Sequence, residues 1–273
     1  MPLMRPVFLL VILFSMLCAG CGQLTSQEIN QESELIVFAA ASLADVFTDL
    51  AQQFEADHPG VEVIINFAGS QQLAHQLSQG APADVFASAN HRQMEAAIGL
   101  DRVNEDEVII FTGNRLVIIY PAGNPAGIRT LADLSNPGLK LLLAAPEVPA
   151  GAYALALLEN LERDPSFEPA FQNDVLKNVV SYEENVRAVL SKVMLGEADA
   201  GIVYASDAAG KNADEVGIIE VPDHLNVSAT YPIATISNSP QPELGKAFID
   251  FVLSAPGQSL MSDYGFSIGI PAS

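Results

Sequence analysis

The sequence predicts an α/β fold with mainly parallel sheets. Short apolar runs that are typical of strands alternate with helical patterns from Glu34 onward. Small or helix-capping residues stand where several strand-like runs pass into the next helix. Of the 273 residues, 49% are hydrophobic, which is enough for a sizeable core and excludes global disorder.

The elements are expected in the following order. Strands are predicted at 34–40, 61–67, 83–87, 107–112, 115–120, 139–144, 178–182, 199–204, 216–221 and 229–237. Helices are predicted at 43–57, 71–79, 91–98, 130–134, 151–163, 168–176, 185–195, 205–211 and 242–263, the last broken near Pro256-Gly257. No internal repeat or low-complexity tract interrupts the alternation.

The helix at 43–57 is the best defined. Its apolar residues recur at the spacing of a single helical face: Leu43, Val46, Phe47, Leu50, Ala51 and Phe54. Ser42 stands just before it, with Asp45 three residues later, and this spacing predicts a capping box. Pro59-Gly60 ends the helix.

Four strand-to-helix turns carry the candidate binding groups. They lie at Ser42, at Ala68-Gly69-Ser70, at 146–151 and at Glu183-Glu184-Asn185. Ligands of open α/β sheets bind outside the carboxyl ends of the strands, where such turns lie. Helix N-termini offer unpaired N–H groups and a partial positive charge, so several that converge can bind an anion without a lysine.

Four side chains have two interpretations each. Ser42 and Ser70 are candidate hydroxyl donors, although a serine before a helix is more often only a cap. Tyr204 ends the strand at 199–204, from which its hydroxyl either enters a cleft or packs at the rim. Asp84 is expected to orient a turn rather than to act as a catalyst.

The charge balance excludes two classes of partner. Asp and Glu number 33 against 12 Lys and Arg, a formal net charge of −21. Nucleic acid and anionic lipid both require a basic surface, so neither is expected as a partner.

The first residues are predicted to be a targeting signal. Residues 1–20 carry a single charge, Arg5, and an apolar run from Val7 to Phe14. The run ends in Leu17-Cys18-Ala19-Gly20-Cys21, which resembles a bacterial lipobox with cleavage before Cys21 and acylation of its thiol. Residues 21–33 then form a polar tether on the extracytoplasmic side. An uncleaved anchor or an ordinary secretory signal are the alternatives.

Enzyme signatures are absent from the sequence. It contains no GxSxG, HExxH, Walker lysine or GxGxxG motif, and its four histidines are scattered without metal-ligand spacing. A serine hydrolase that used Ser42 or Ser70 would lack a plausible base. We therefore expect no catalytic residues, no cofactor and no bound metal cation.

Five segments, in this order, resemble the periplasmic molybdate-binding proteins of bacterial ABC transporters, the ModA family. The resemblance runs from about residue 35 to 270. It rests on the segments FAAASL (38–43), GAPADVFASA (80–89), PEVPAGAYA (146–154), ENVR (184–187) and GIVYASDA (201–208).

The resemblance implies a hinged, two-lobed type II periplasmic-binding-protein fold. The lobes would be 34–112 plus 232–270 and 113–231. The ligand would be molybdate, and also tungstate, so that molybdenum is present only as the oxyanion. The implied binding groups are hydroxyls or backbone N–H groups of Ser42, Ser70, Ala150, Val186 and Tyr204.

The implied partners are the permease and ATPase subunits of an ABC importer. The protein would be a monomer that meets the membrane only through its lipid anchor. Two alternatives remain open: a binding protein for another oxyanion, such as sulfate or phosphate, and a ligand sensor that does not transport.

Overall fold

The computed structural model describes residues 33–268, apart from the side chain of Lys211. The predicted signal peptide, Cys21 and the tether up to residue 32 lie outside the described residues. Within 33–268, no helix combines the length and the apolar character that a membrane span requires.

All ten predicted strands are confirmed, with ends shifted by a few residues. They are β1 (Ser33–Ala40), β2 (Val61–Ala68), β3 (Val85–Ala87), β4 (Ile109–Asn114), β5 (Leu116–Pro121), β6 (Leu141–Ala144), β7 (Val179–Glu183), β8 (Ala200–Tyr204), β9 (Val216–Glu220) and β10 (Ala229–Thr235).

Eight α-helices connect the described strands or follow them. They are α1 (Ala44–Asp57), α2 (Ser70–Ser78), α3 (His91–Ile98), α4 (Pro149–Arg163), α5 (Phe171–Lys177), α6 (Val186–Met194), α7 (Pro242–Leu253) and α8 (Ala255–Asp263).

The strands form two five-stranded sheets of related topology. The first sheet has the order β2-β1-β3-β10-β4 and the second has the order β7-β6-β8-β5-β9. All strands of a sheet run in one direction except β10 in the first and β5 in the second. Each exception is the first strand after the chain crosses from the other sheet. The prediction of an α/β fold with mainly parallel sheets is confirmed.

The chain crosses between the sheets twice. The first crossing is at Arg115, between β4 and β5, and the second lies between β9 and β10. These points lie close to the predicted lobe boundaries at 112–113 and 231–232. The division into two lobes stays a prediction, because a pair of sheets does not by itself define two bodies that move separately.

The predicted apolar stripe of α1 forms part of the core. Its residues are buried, and Phe47 and Phe54 contact the ring of Phe248 from α7 edge-on, with centroids 5.9 and 5.3 Å apart. Burial of each such side chain contributes about 1.5–3 kcal/mol. This packing fixes α1, and therefore the turn that precedes it, on the first sheet.

The capping box predicted for Ser42 and Asp45 is wrong. Residues Ala41–Leu43 form a 3₁₀ turn, and α1 begins after Leu43 with no side-chain cap. The Ser42 hydroxyl instead contacts Tyr231, and the Asp45 carboxylate pairs with Arg187. Both side chains are thus engaged by distant parts of the chain, which a local pattern does not reveal.

Two helical segments differ from their predicted form. The segments at 130–134 and 205–211 are 3₁₀ turns, at Leu131–Ser135 and at Ala205–Ala208 with Gly210–Asn212. Such short segments favour i→i+3 bonding over an α-helical ladder. The helix at 242–263 is broken near Pro256-Gly257 as predicted, with the break itself at Ser254, because the Ser254 hydroxyl caps α8 and Pro256 is tolerated in its first turn.

Candidate functional site

All five residues singled out from the sequence line one cavity, which lies where the carboxyl ends of strands from both sheets meet. The cavity is small. The volume open to the centre of a water-sized molecule is about 10 Å³, which is enough for about one such molecule. The cavity therefore suits one small ion. Its lining is Ala40, Ala41, Ser42, Gly69, Ser70, Ala89, Val148, Pro149, Ala150, Asn185, Val186 and Tyr204.

Each candidate is carried to the cavity by a parallel strand. Ser42 follows β1 and Ser70 follows β2 in the first sheet. In the second sheet, Ala150 and Val186 begin the helices that follow β6 and β7, and Tyr204 ends β8. Parallel strands end at a common edge, so the convergence that sequence spacing cannot show follows from the topology.

Ser70 is held so that its hydroxyl hydrogen is available. Its oxygen accepts the backbone N–H of Ala89 at 3.0 Å, and the side chain is buried. A hydroxyl has one hydrogen to donate and two acceptor lone pairs. Since Ala89 uses one lone pair, the Ser70 hydrogen remains available to donate to a ligand.

Ser42 has a comparable supporting group. Its hydroxyl oxygen lies 3.0 Å from the hydroxyl oxygen of Tyr231, and either can be the donor. When Tyr231 donates, the Ser42 hydrogen is free to donate elsewhere. Both residues are buried, so this bond fixes the Ser42 hydroxyl without competition from bulk water.

Two helix starts supply backbone donors. Ala150 follows Pro149 in the first turn of α4, and Val186 is the first residue of α6. The helices themselves offer these N–H groups no acceptor. The Asn185 side chain accepts the N–H of Ala188 at 3.0 Å and so caps α6 without engaging Val186.

Tyr204 brings an unsatisfied hydroxyl to the cavity. The residue is 1% exposed, and its hydroxyl oxygen has no hydrogen-bond partner among the described residues. Burial, and then the neighbouring Tyr231, raise the pKa of Tyr204 well above its usual value, so the phenol is a neutral donor. An unpaired buried hydroxyl costs about 1–3 kcal/mol, a cost that a bound acceptor would remove.

No charged side chain lines the cavity, but a charged cluster adjoins it. Arg187 lies 2.6 Å from Asp45, measured from Nη2 to Oδ2, and 3.5 Å from Asp207, measured from Nη1 to Oδ1. Asp207 also accepts the backbone N–H of Tyr204 at 3.2 Å. Burial raises the pKa of the Asp207 carboxyl to about 7, against the opposing effect of Arg187. The guanidinium is thus engaged by its pair with Asp45, outside the cavity.

Polar contacts at the rim join the elements of the two sheets. Gln71 and Gln72 of α2 donate to the backbone and carboxylate oxygens of Glu184, at 2.8 and 3.1 Å. A side chain at Gly69 would place its Cβ 2.8 Å from the Glu184 carbonyl oxygen, so glycine permits this approach. Arg92 donates to the carbonyl oxygen of Glu147 at 3.0 Å. The site is therefore closed over its cavity.

Sequence reasoning missed the residues that support the candidates. Tyr231 and Ala89 orient the two serines, while Asp207 and Arg187 adjoin Tyr204 and Val186. Tyr231 is 189 residues from Ser42, so no local pattern could indicate the contact.

Asp84 is a structural carboxylate, but it contacts distant residues rather than orienting its own turn as the sequence predicted. It accepts the N–H of Ile36 at 2.7 Å and the hydroxyl of Ser239, and it lies outside the cavity lining. In the part of the chain that the structure describes, no group of three or more His, Cys, Asp or Glu side chains is placed to hold a metal ion.

Comparisons with known proteins agree with this architecture. Residues 35–267 match the family described as bacterial extracellular solute-binding protein. The molybdate-binding protein ModA of Mycobacterium tuberculosis is 41% identical over 235 residues, covering 85% of this chain and 84% of that protein. The ModA of Escherichia coli is 32% identical over 243 residues, covering 87% and 90%.

A solved structure shows the same fold. The periplasmic molybdate-binding protein of Azotobacter vinelandii matches with a TM-score of 0.74 over 86% of this chain and all of that chain. At 17% sequence identity, this likeness supports the fold alone. It agrees with the type II periplasmic-binding-protein architecture expected from the sequence.

Proposed function

The chain belongs to the bacterial extracellular solute-binding proteins, and we propose that it captures molybdate in the cavity between its two sheets and delivers it to an ABC importer. As a member of this family it is an extracytoplasmic transport component and not an enzyme.

The observation that carries the proposal is the unpartnered hydroxyl of Tyr204. It faces a small cavity together with two serine hydroxyls and two helix N-termini. Every one of these groups is a neutral donor. A ligand that offers only acceptors satisfies all of them at once, and an oxyanion is such a ligand. In our proposal the five binding residues are Ser42, Ser70, Ala150, Val186 and Tyr204.

The donor set favours a fully deprotonated dianion. Hydrogen phosphate would bring a proton that only one of the hydroxyls could accept, and it would satisfy the set of donors less fully than a bare dianion does. Sulfate has the same charge and shape as molybdate but is smaller, so size is the only property by which the site could discriminate between the two ions. Tungstate is nearly the size of molybdate, and we expect it to bind as well.

Local groups rather than net charge attract the ion. The net charge of −21 repels a dianion at long range. At physiological salt this repulsion is screened within about 10 Å. The N–H groups and helix dipoles at the cavity act over shorter distances and are not screened by bulk ions.

Binding would favour a closed form of the protein. Ser42 and Ser70 belong to the predicted lobe of 34–112 plus 232–270, whereas Ala150, Val186 and Tyr204 belong to the predicted lobe of 113–231. An ion that contacts donors of both lobes stabilises the arrangement in which they meet. The permease and ATPase subunits of the importer could then distinguish the loaded protein from the empty one.

The protein would work as a monomer held at the membrane by acylated Cys21. The lipobox-like residues before Cys21 support this anchor. Labelling with a radioactive fatty acid in a bacterial host should mark the wild-type chain and not the Cys21→Ser variant. Equal labelling of both would contradict the anchor and leave the binding proposal intact.

Calorimetric titration of residues 22–273 with molybdate, tungstate, sulfate and phosphate tests the function. Molybdate and tungstate should bind tightly, sulfate weakly, and phosphate at neutral pH least of all. Preferential binding of sulfate would show that this architecture serves another oxyanion and that molybdate is not the ligand. If none of the four oxyanions bound, the proposal would be wrong.

A further inference from the structure

Resting on the proposed function, we propose that Arg187 is a positioning residue that clasps the closed site, by pairing with Asp45 across the two sheets while Asp207 lies on the other side of its guanidinium. Arg187 does not line the cavity. It would act on the ion only through the arrangement of the donors beside it.

The three charged groups come from both halves of the site. Asp45 lies in the first turn of α1, which follows the first-sheet strand β1. Arg187 is the second residue of α6, which follows the second-sheet strand β7, and Asp207 follows β8. The contact between Arg187 and Asp45 therefore joins elements of different sheets.

Other ion pairs of described side chains do not join the sheets in this way. Arg163 with Glu159, Lys177 with Asp174, Lys192 with Glu183 and Arg115 with Glu220 each connect elements of the second sheet and its helices. Among the ion pairs of side chains that the structure describes, a set that leaves out Lys211, the pair of Arg187 with Asp45 is the one that bridges the two sheets.

The pair is also well shielded from water. The side chains of Arg187 and Asp45 are 23% and 14% exposed, and that of Asp207 is fully buried. Exposed pairs such as Arg163 with Glu159, at 70% and 52%, are largely screened and contribute little. A partly buried pair is screened less by salt and water, so breaking it should measurably weaken the contact between the two sheets.

The cluster is connected to the donors on both sides. Arg187 directly follows Val186, and the carboxylate of Asp207 accepts the N–H of Tyr204. On the other side, Asp45 lies three residues after Ser42. When Arg187 and Asp45 are paired, the donors of both sheets are held at the distance at which one ion can contact them all.

The variant Asp45→Asn tests the clasp while preserving the contact between Arg187 and Asp207. It should bind molybdate about three- to tenfold more weakly. Stopped-flow measurements should place this loss in faster dissociation, because the bound ion leaves when the two sheets separate and the pair opposes that separation. The wild-type affinity should fall more steeply with added salt than that of the variant.

A double-mutant cycle isolates the pairwise effect. Arg187→Gln should also weaken binding, and Asp45→Asn with Arg187→Gln should lose less than the sum of the single losses. Arg187→Lys should restore part of the affinity, since it keeps the charge. The matched control is Arg163→Gln, which removes an exposed arginine–carboxylate pair on α4 and should leave the dissociation rate unchanged.

The outcomes separate this inference from the proposed function. Wild-type binding with unchanged dissociation in Asp45→Asn would overturn the clasp alone. If wild-type protein did not bind molybdate, the proposed function would fail, and small-angle scattering of ligand-free protein would decide on the clasp. A larger radius of gyration for Asp45→Asn than for wild type would support it, and equal radii would overturn it.

Discussion

The hydroxyl oxygens of Ser42 and Tyr231 lie 3.0 Å apart, although 189 residues separate the two along the chain. Tyr231 belongs to β10, the strand on which the chain returns to the first sheet. Its ring is fully buried and contacts the rings of Phe111, Phe266 and Tyr204. β10 therefore completes the first sheet and also orients the Ser42 hydroxyl, which lies in the turn after β1.

Replacing Tyr231 by Phe should weaken molybdate binding by about 0.5–1.5 kcal/mol, because Ser42 loses the hydroxyl that orients it. The aromatic packing stays in place. Isothermal titration calorimetry measures the effect, with Tyr120→Phe on β5 as the control. If both variants bound as tightly as wild type, Tyr231 would have no role in orienting the donor.

Replacing Tyr204 by Phe should have opposite effects on affinity and stability. Affinity for molybdate should fall by roughly 1–3 kcal/mol, the scale of a hydrogen bond to a charged group. The free energy of unfolding without ligand should stay constant or rise, because the hydroxyl that is removed has no partner. Calorimetry and denaturant unfolding measure the two quantities separately.

Ser42→Ala is the comparison for Tyr204→Phe, because the Ser42 hydroxyl has a hydrogen-bond partner in the protein without ligand. This variant should lose a similar affinity, about 1–3 kcal/mol, and should also lose stability. Unchanged affinity in both variants would remove these hydroxyls from the binding site.

Replacing Val186 by Pro should remove one backbone donor and leave α6 intact. Val186 is the first residue of the helix, a position that proline occupies readily, and Asn185 before it is extended. Molybdate affinity should fall by about 1–3 kcal/mol relative to Val186→Ala, which loses similar packing but keeps the N–H. Circular dichroism checks the helix. Equal affinities for the two variants would show that this N–H does not contact the ion.

The Asp207 carboxyl should make stability depend on pH. Its pKa rises from 3.8 to about 7 on folding, chiefly through burial, so the folded protein binds a proton that the unfolded chain releases. Its contribution is fully present below pH 3.8 and is lost as the pH rises through about 7. The slope is at most about 1.4 kcal/mol per pH unit.

Asp207→Asn keeps an acceptor for the Tyr204 N–H and abolishes this titration. The stability of the variant relative to wild type should therefore increase between pH 4 and pH 7. Urea unfolding at a series of pH values measures the difference. A constant or decreasing difference would mean that the carboxyl is ionised in the folded protein throughout this range.

Local patterns were sufficient to predict the strands and the strand-to-helix turns, whereas Ala150 and Val186 were singled out by the family resemblance and the convergence of the five candidates required the fold. The α1 stripe and the strand-to-helix turns are encoded within a few residues, so they can be read without knowing the fold. The capping box at Ser42 failed because its hydroxyl has a partner 189 residues away. The roles of Asp45 and Asp207 were missed for the same reason, since both meet Arg187 only after the sheets come together.

A crystal structure of the complex with molybdate is the decisive measurement. The oxygens of the ion should accept hydrogen bonds from neutral groups of both sheets, with no lysine or arginine head group against it. A cationic side chain in contact with the ion, or donors left far from it, would show that the ion is not bound as proposed. The expected donors are Ser42 Oγ, Ser70 Oγ, Ala150 N, Val186 N and Tyr204 Oη.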